Sequence, residues 1–107
     1  MTTAKFLFSD DTIVSFELSG HSGAGEYGTD IVCSAVSSAV YMAANTIIEI
    51  MKLSPEAEVR DGYLKFTMSV DDARKSKVIT DGLYLHLSEL QGQYPNNLKL
   101  ERGVFNA

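Results

Sequence analysis

The residues equipped for covalent chemistry stand together between positions 20 and 37, in the run GHSGAGEYGTDIVCSAVS. Cys33 is the chain's single cysteine, His21 is one of its two histidines, and Asp30 lies between them. A thiol with an imidazole and a carboxylate at hand has the makings of a nucleophile with its proton partner. From Asp30 onward the apolar residues recur at helical spacing, which predicts Cys33 within the first turn of a helix. There, unpaired backbone N–H groups and the positive end of the helix dipole favour an anion, which makes thiolate available near neutral pH. The same amides would stabilise an oxyanion, with His21 as general base.

Each of these residues also has a plainer reading. A free cysteine is among the most buried residue types, and Val36 and Val40 surround Cys33 with apolar neighbours, so packing is the alternative for it. Asp30 suits the first turn of a helix simply as an acid near the dipole's positive end. A carboxylate beside the thiol would oppose its ionisation, so Asp30 assists only if its charge falls on His21. Ser37, one turn beyond Cys33, serves equally as a hydrogen-bonding neighbour of the sulfur or as a small residue for helix packing.

The elements that must hold these groups follow from the hydropathy pattern. Alternation predicts strands over Lys5 to Phe8 and Ile13 to Leu18, joined by a polar hairpin turn at Ser9 to Thr12. Gly20 to Thr29 has no apolar periodicity, and its four glycines predict a loop that is mobile without ligand and closes with substrate. A first helix is expected from Asp30 to Lys52, its polar residues Ser34, Ser38, Tyr41, Asn45, Glu49 and Lys52 on one narrow stripe. A helix so apolar around its circumference must pack on more than one surface, which predicts a homodimer.

Ala57 to Arg60, an Asp61-Gly62 turn and Tyr63 to Val70 form a second hairpin. A second helix is expected over Asp72 to Gln91, capped by Ser69 or Asp71, and a last strand over Leu98 to Arg102. The order is ββαββαβ. Each hairpin has one apolar face to bury and the helices are the only other layer, so the expected architecture is a two-layer α/β sandwich, about five strands covered by two helices, in a single domain over residues 1–107.

Nine basic against 14 acidic residues leave a net charge of −5 with no run of Lys or Arg, which argues against nucleic acid as a direct ligand. The start of the chain lacks the pattern of a secretory signal, and polar residues interrupt the apolar stretch from Ile31 to Met51, so a cytoplasmic protein with no membrane span is expected. No cofactor or metal is expected. Gly23-Ala24-Gly25-Glu26-Tyr27-Gly28 matches G-x-G-x-x-G in letters, but a hairpin rather than a parallel βαβ unit precedes it. One cysteine and two distant histidines give no close ligand pair, and His86 reads as a solvated or helix-packed side chain.

Taken with their order and spacing, Gly20-His21 after the second strand, Asp30-Ile31-Val32-Cys33-Ser34-Ala35-Val36-Ser37 at the helix start and Asn45 further along resemble the bacterial ribosomal-processing cysteine proteases. The resemblance covers nearly the whole chain. Ser34 stands where the family more usually has Ala, a small change that leaves the nucleophile untouched. The resemblance implies a homodimeric endopeptidase that removes a short N-terminal extension from the large-subunit ribosomal protein numbered twenty-seven. It also implies Cys33 as nucleophile and His21 as general base, with Asp30 and Ser37 in support. A basic ribosomal substrate suits the acidic chain. The rival class is a non-enzymatic ribosome-assembly or binding module in which Cys33 is packing.

Overall fold

A computed structural model describes residues 1–20 and 27–106, without the side chains of residues 27–30. Its elements are β1 (Thr2–Ser9), β2 (Thr12–Ser19), α1 (Tyr27–Asn45), β3 (Glu56–Arg60), β4 (Tyr63–Thr67), α2 (Val70–Lys75), α3 (Lys77–Gln93) and β5 (Leu98–Val104). The five strands form one sheet in the order β3-β4-β2-β1-β5, so both hairpins share a single layer. All neighbours are antiparallel except β1 and β5, which run parallel and leave α3 as the crossover between the second hairpin and the far edge.

The strand alternation sorts the two faces. Phe6, Phe16 and Phe66 stand opposite one another on β1, β2 and β4 and are buried under the helices. Phe16 stacks on Phe66 with ring centroids 4.7 Å apart, and Tyr84 of α3 meets Phe6 edge-on at 5.0 Å. Burying one such ring contributes about 2 kcal/mol, so this row is a main anchor between the layers. On the opposite face, the register places Glu58, Lys65, Glu17, Lys5 and Glu101 side by side across all five strands. Opposite charges as cross-strand neighbours suit an open sheet face and favour this register.

Several boundaries differ from the expectation: β4 ends at Thr67 and α2 begins at Val70, inside the expected strand, and α3 runs to Gln93. The first helix begins at Tyr27 rather than Asp30, because adding a turn to a helix already nucleated on an apolar core gains a hydrogen bond for each residue ordered. The stretch from residue 72 to 91 is two helices, since Ser76 leaves the helical conformation (φ −95°, ψ 4°) and its buried hydroxyl donates to the Asp72 carbonyl at 2.9 Å. Of the two expected caps for α2, Ser69 serves: it is extended, and its Oγ accepts from the Asp72 N–H at 3.1 Å.

The C-terminal end of the first helix widens into a π-helical turn, Thr46–Ile50. The Met51 N–H donates to the Thr46 carbonyl at 2.9 Å, and Lys52 then turns the chain with φ 60°. Val32, Val36, Val40, Ala43, Ala44 and Ile47 lie buried along this helical stretch, whereas the polar stripe from Ser34 to Glu49 is exposed. Ile31, Met42 and Ile50 are exposed as well, so within the chain the helix is buried on one face and not around most of its circumference. Residues Ile31–Ile50, with mean hydropathy 1.7, are long and apolar enough to cross a membrane by length and composition; here one face of the stretch belongs to the core over the sheet.

Candidate active site

Cys33 is half-buried on α1, and its position follows from the helix phase. Val32 and Val36 turn fully into the core, so Cys33, about 100° further round than Val32, comes to the border between core and solvent. Ser37 lies one turn on, on the same side, also half-buried. Both line a surface cleft of about 230 Å³. Its α1 wall continues through Val40 and Tyr41, Leu18 and Leu64 supply apolar lining from β2 and β4, and Arg60 at the end of β3 joins Asp61 and Gly62 of the β3–β4 turn. Gly20, at the end of β2, belongs to the same cleft.

The turn side of the cleft is braced. The Arg60 guanidinium lies over the Tyr63 ring, 3.9 Å from its centroid, and bonds to Glu58. The Tyr63 hydroxyl donates to Glu17 Oε2 at 3.0 Å. Its pKa is raised, first by desolvation and then by the Glu17 carboxylate it serves and the charge of Glu58, with Arg60 opposing. At the base of the turn, the Gly20 N–H donates to the Gly62 carbonyl at 3.1 Å and ties the end of β2 to the β3–β4 hairpin.

The four residues singled out by sequence fare differently. Cys33 and Ser37 share the cleft. Asp30 is on α1, three residues before Cys33, with its side chain outside the described residues. His21 lies outside the described residues altogether, as does most of the glycine loop.

One expectation is corrected. Cys33 is the seventh residue of α1, in its second turn, so its N–H belongs to the internal hydrogen-bond ladder, and the amides without an intrahelical partner are those of Tyr27–Asp30. The field of the helix dipole, which fades within one turn, therefore acts on those residues and not on Cys33. Sequence reasoning also missed the opposite wall of the cleft. Asp61-Gly62 was legible as a turn, but nothing local showed that β4 would lie beside β2 and bring that turn to the thiol.

A second depression lies on the other flank of α1, lined by Ala39 and Met42 with Val78, Ile79, Gly82, Leu83 and His86 of α3. His86 is exposed there. Among the described residues, no group of three His, Cys, Asp or Glu side chains could hold a metal ion.

A half-buried thiol lining a surface cleft is within reach of a bound substrate, as a cysteine nucleophile must be. The chain belongs to the cysteine protease Prp family, whose family model matches residues 1–99. The ribosomal processing cysteine protease Prp of Bacillus subtilis is 32% identical over 101 residues, covering 89% of this chain and 90% of that protein. The Staphylococcus aureus protein of the same name is 27% identical over 103 residues, covering 94% and 97%. Among solved structures, a Streptococcus mutans protein superposes with a TM-score of 0.82 at 27% identity over 98% of this chain and 96% of that one. The S. aureus ribosomal processing protease Prp in complex with a substrate peptide has the same fold, with a TM-score of 0.86 at 23% identity over 95% and 99%.

Proposed function

We propose that this chain is a cytoplasmic endopeptidase that removes the short N-terminal extension of the large-subunit ribosomal protein numbered twenty-seven, with Cys33 as nucleophile and His21 as general base. The observation that carries the reading is the cleft at Cys33: a thiol open to solvent on one side, in a chain of a cysteine protease family. Relatives named as ribosomal processing proteases over nearly their full length support the substrate class.

In this mechanism His21 takes the Cys33 proton and the sulfur attacks the scissile carbonyl carbon. The imidazolium then protonates the leaving amine, the C–N bond breaks, and the extension remains on Cys33 as a thioester. Water, deprotonated by His21, attacks the thioester, releases the extension as a carboxylic acid and returns the thiol. Asp30 and Ser37 support the pair, Asp30 through His21 and Ser37 from the turn beside the sulfur. Leu18, Val40 and Leu64 exclude water from one side of the reacting carbonyl, where polar interactions then act more strongly.

A second copy of the chain covers the apolar groove between α1 and α3, where Met42 is 58% and Val78 84% exposed. The deciding experiment incubates the protein with a peptide spanning the extension junction and reads the products by mass spectrometry. Two fragments from the native protein and none from Cys33→Ala are expected. Tight binding of an uncut peptide by the native protein would replace the protease reading with that of an assembly module.

A further inference from the structure

Strand β3 is one edge of the sheet, and its residues Glu56–Arg60 are all exposed. Which of its backbone groups are open follows from the bonds around β4. The Gly62 carbonyl accepts from the Gly20 N–H, and the Met68 N–H donates to the Val14 carbonyl, so the even-numbered residues of this stretch address β2. The odd-numbered Tyr63, Lys65 and Thr67 therefore address β3, where they face Arg60, Glu58 and Glu56. That leaves the N–H and C=O groups of Ala57 and Val59 pointing off the edge, with no partner among the described residues. Their side chains stand across from Phe66 and Leu64 on the helix side of the sheet, yet Val59 is 59% exposed, so this strip is uncovered. The strip ends at the thiol cleft, because Arg60 is both the last residue of β3 and part of the cleft wall.

We infer that this edge is a second docking site for the substrate, where an extended stretch of chain just C-terminal to the scissile bond adds to β3 as a sixth, antiparallel strand. The inference rests on the reading of the chain as a protease acting at Cys33. Direction selects that side of the bond. β3 runs from Glu56 towards the cleft, so a chain leaving the cleft along the edge runs antiparallel to it, whereas a chain entering by this route would be parallel, the slightly weaker pairing. Charge selects the same side. Arg60 bonds to Glu58, while Glu56 is exposed opposite the uncharged Thr67, where it suits a basic side chain of a protein built to bind RNA. The period of a strand then defines the partner: apolar residues opposite Ala57 and Val59, alternating with polar ones of which the one opposite Glu56 is basic. Main-chain bonds supply the affinity and the alternate side chains the selectivity.

The test compares two junction peptides, one ending about two residues past the junction and one continuing about ten residues further, enough to span β3. Cleavage of both is measured with the native protein, Val59→Pro and Glu56→Lys, and binding of both is measured by fluorescence anisotropy with Cys33→Ala and Cys33→Ala/Val59→Pro. Proline at 59 removes an outward N–H without removing a bond to β4, the position at which an edge strand tolerates it. For the native protein, kcat/KM should be at least about tenfold higher on the long peptide, through KM. Val59→Pro should bring the long peptide to within about twofold of the short one while leaving the short one near native, and Glu56→Lys should weaken the long one about threefold, more at low salt.

Equal binding of the two peptides by Cys33→Ala, or a preference for the long one that Val59→Pro leaves intact, would overturn the inference. So would a Val59→Pro protein that loses self-association and keeps the preference, since the edge would then belong to a second copy. If Val59→Pro does not fold, long peptides N-methylated at alternate residues put the same question to the native protein. Methyl groups in one phase should abolish the preference and in the other phase spare it, and loss in both phases or in neither would refute the added strand. Failure of the protease reading looks different: neither peptide is cut, while the long one still binds Cys33→Ala more tightly in a manner that Val59→Pro removes.

Discussion

The helix α1 has two working flanks that differ in kind. Cys33, Ser37 and Tyr41 line a cleft shared with a strand end and a hairpin turn, where charged and polar groups stand around an apolar lining. Ala39 and Met42 line a depression shared with α3, whose other members are apolar except for Gly82 and His86. The first flank brings together segments far apart in sequence and the thiol of Cys33. The second brings together small and apolar residues on two neighbouring helices, the surface expected of an association face. Residues 37 and 39 are only two apart, yet helical geometry turns them about 200° from each other. One helix therefore presents the thiol cleft and the apolar depression on separate sides.

The largest effect that would sharpen this contrast is on the cleft side. Cys33→Ala should reduce cleavage by at least about a thousandfold, the scale of losing a nucleophile, while circular dichroism and melting stay near native because Ala suits a helix. A folded Cys33→Ala protein that still cleaves would dissolve the assignment of chemistry to this flank.

Next in size is the groove side. Met42→Glu together with Val78→Glu puts charge into the depression, and the pair should weaken self-association by about a hundredfold or more in sedimentation equilibrium, since an unpaired buried charge is costly. The alkylation rate of Cys33, measured alongside, should stay near native. A native protein that sediments as a monomer across the micromolar range would break the association reading.

Ser37→Ala should have a smaller effect, lowering kcat/KM about fivefold, the value of one net hydrogen bond of about 1 kcal/mol near the sulfur, without changing self-association. Native kinetics in the Ser37→Ala protein would leave Ser37 as packing only.

The smallest effect concerns the bracing of the cleft wall. Tyr63 has its folded pKa raised above the unfolded value of 10.0, so its neutral form is the one the fold favours. Its contribution to stability is fully present below pH 10 and is lost as pH rises through the folded pKa. Denaturant midpoints measured from about pH 9 to 11 should fall more steeply for the native protein than for Tyr63→Phe. Parallel curves would mean that the Tyr63 to Glu17 bond adds nothing to the wall.

Much of this molecule is dictated locally. Phe6 and Phe8, then Phe16 and Leu18, then Leu64 and Phe66 alternate with polar residues, and alternation alone assigns them to strands with one buried face. Val32, Val36 and Val40 recur every four residues, which is enough to assign a helix and to phase it. That phase, by geometry alone, puts Cys33 and Ser37 on one side of the helix. For the α2 cap the sequence left Ser69 or Asp71, and the structure selects Ser69, whose Oγ accepts from the Asp72 N–H.

What the tertiary structure alone decided is which segments meet. Strand alternation carries no information about neighbours, so the parallel pairing of β1 with β5 and the placement of β4 beside β2 depend on burying all the apolar faces at once under α1, α2 and α3. The far wall of the Cys33 cleft, from Arg60 to Leu64, is a product of that order. So is the requirement for glycine at position 20, which arises from a carbonyl 19 residues earlier and a hydrogen bond to Gly62, 42 residues later. The break at Ser76, a fully buried residue, was likewise settled by packing, since propensities of a few tenths of a kcal/mol are smaller than the energy of one docked side chain.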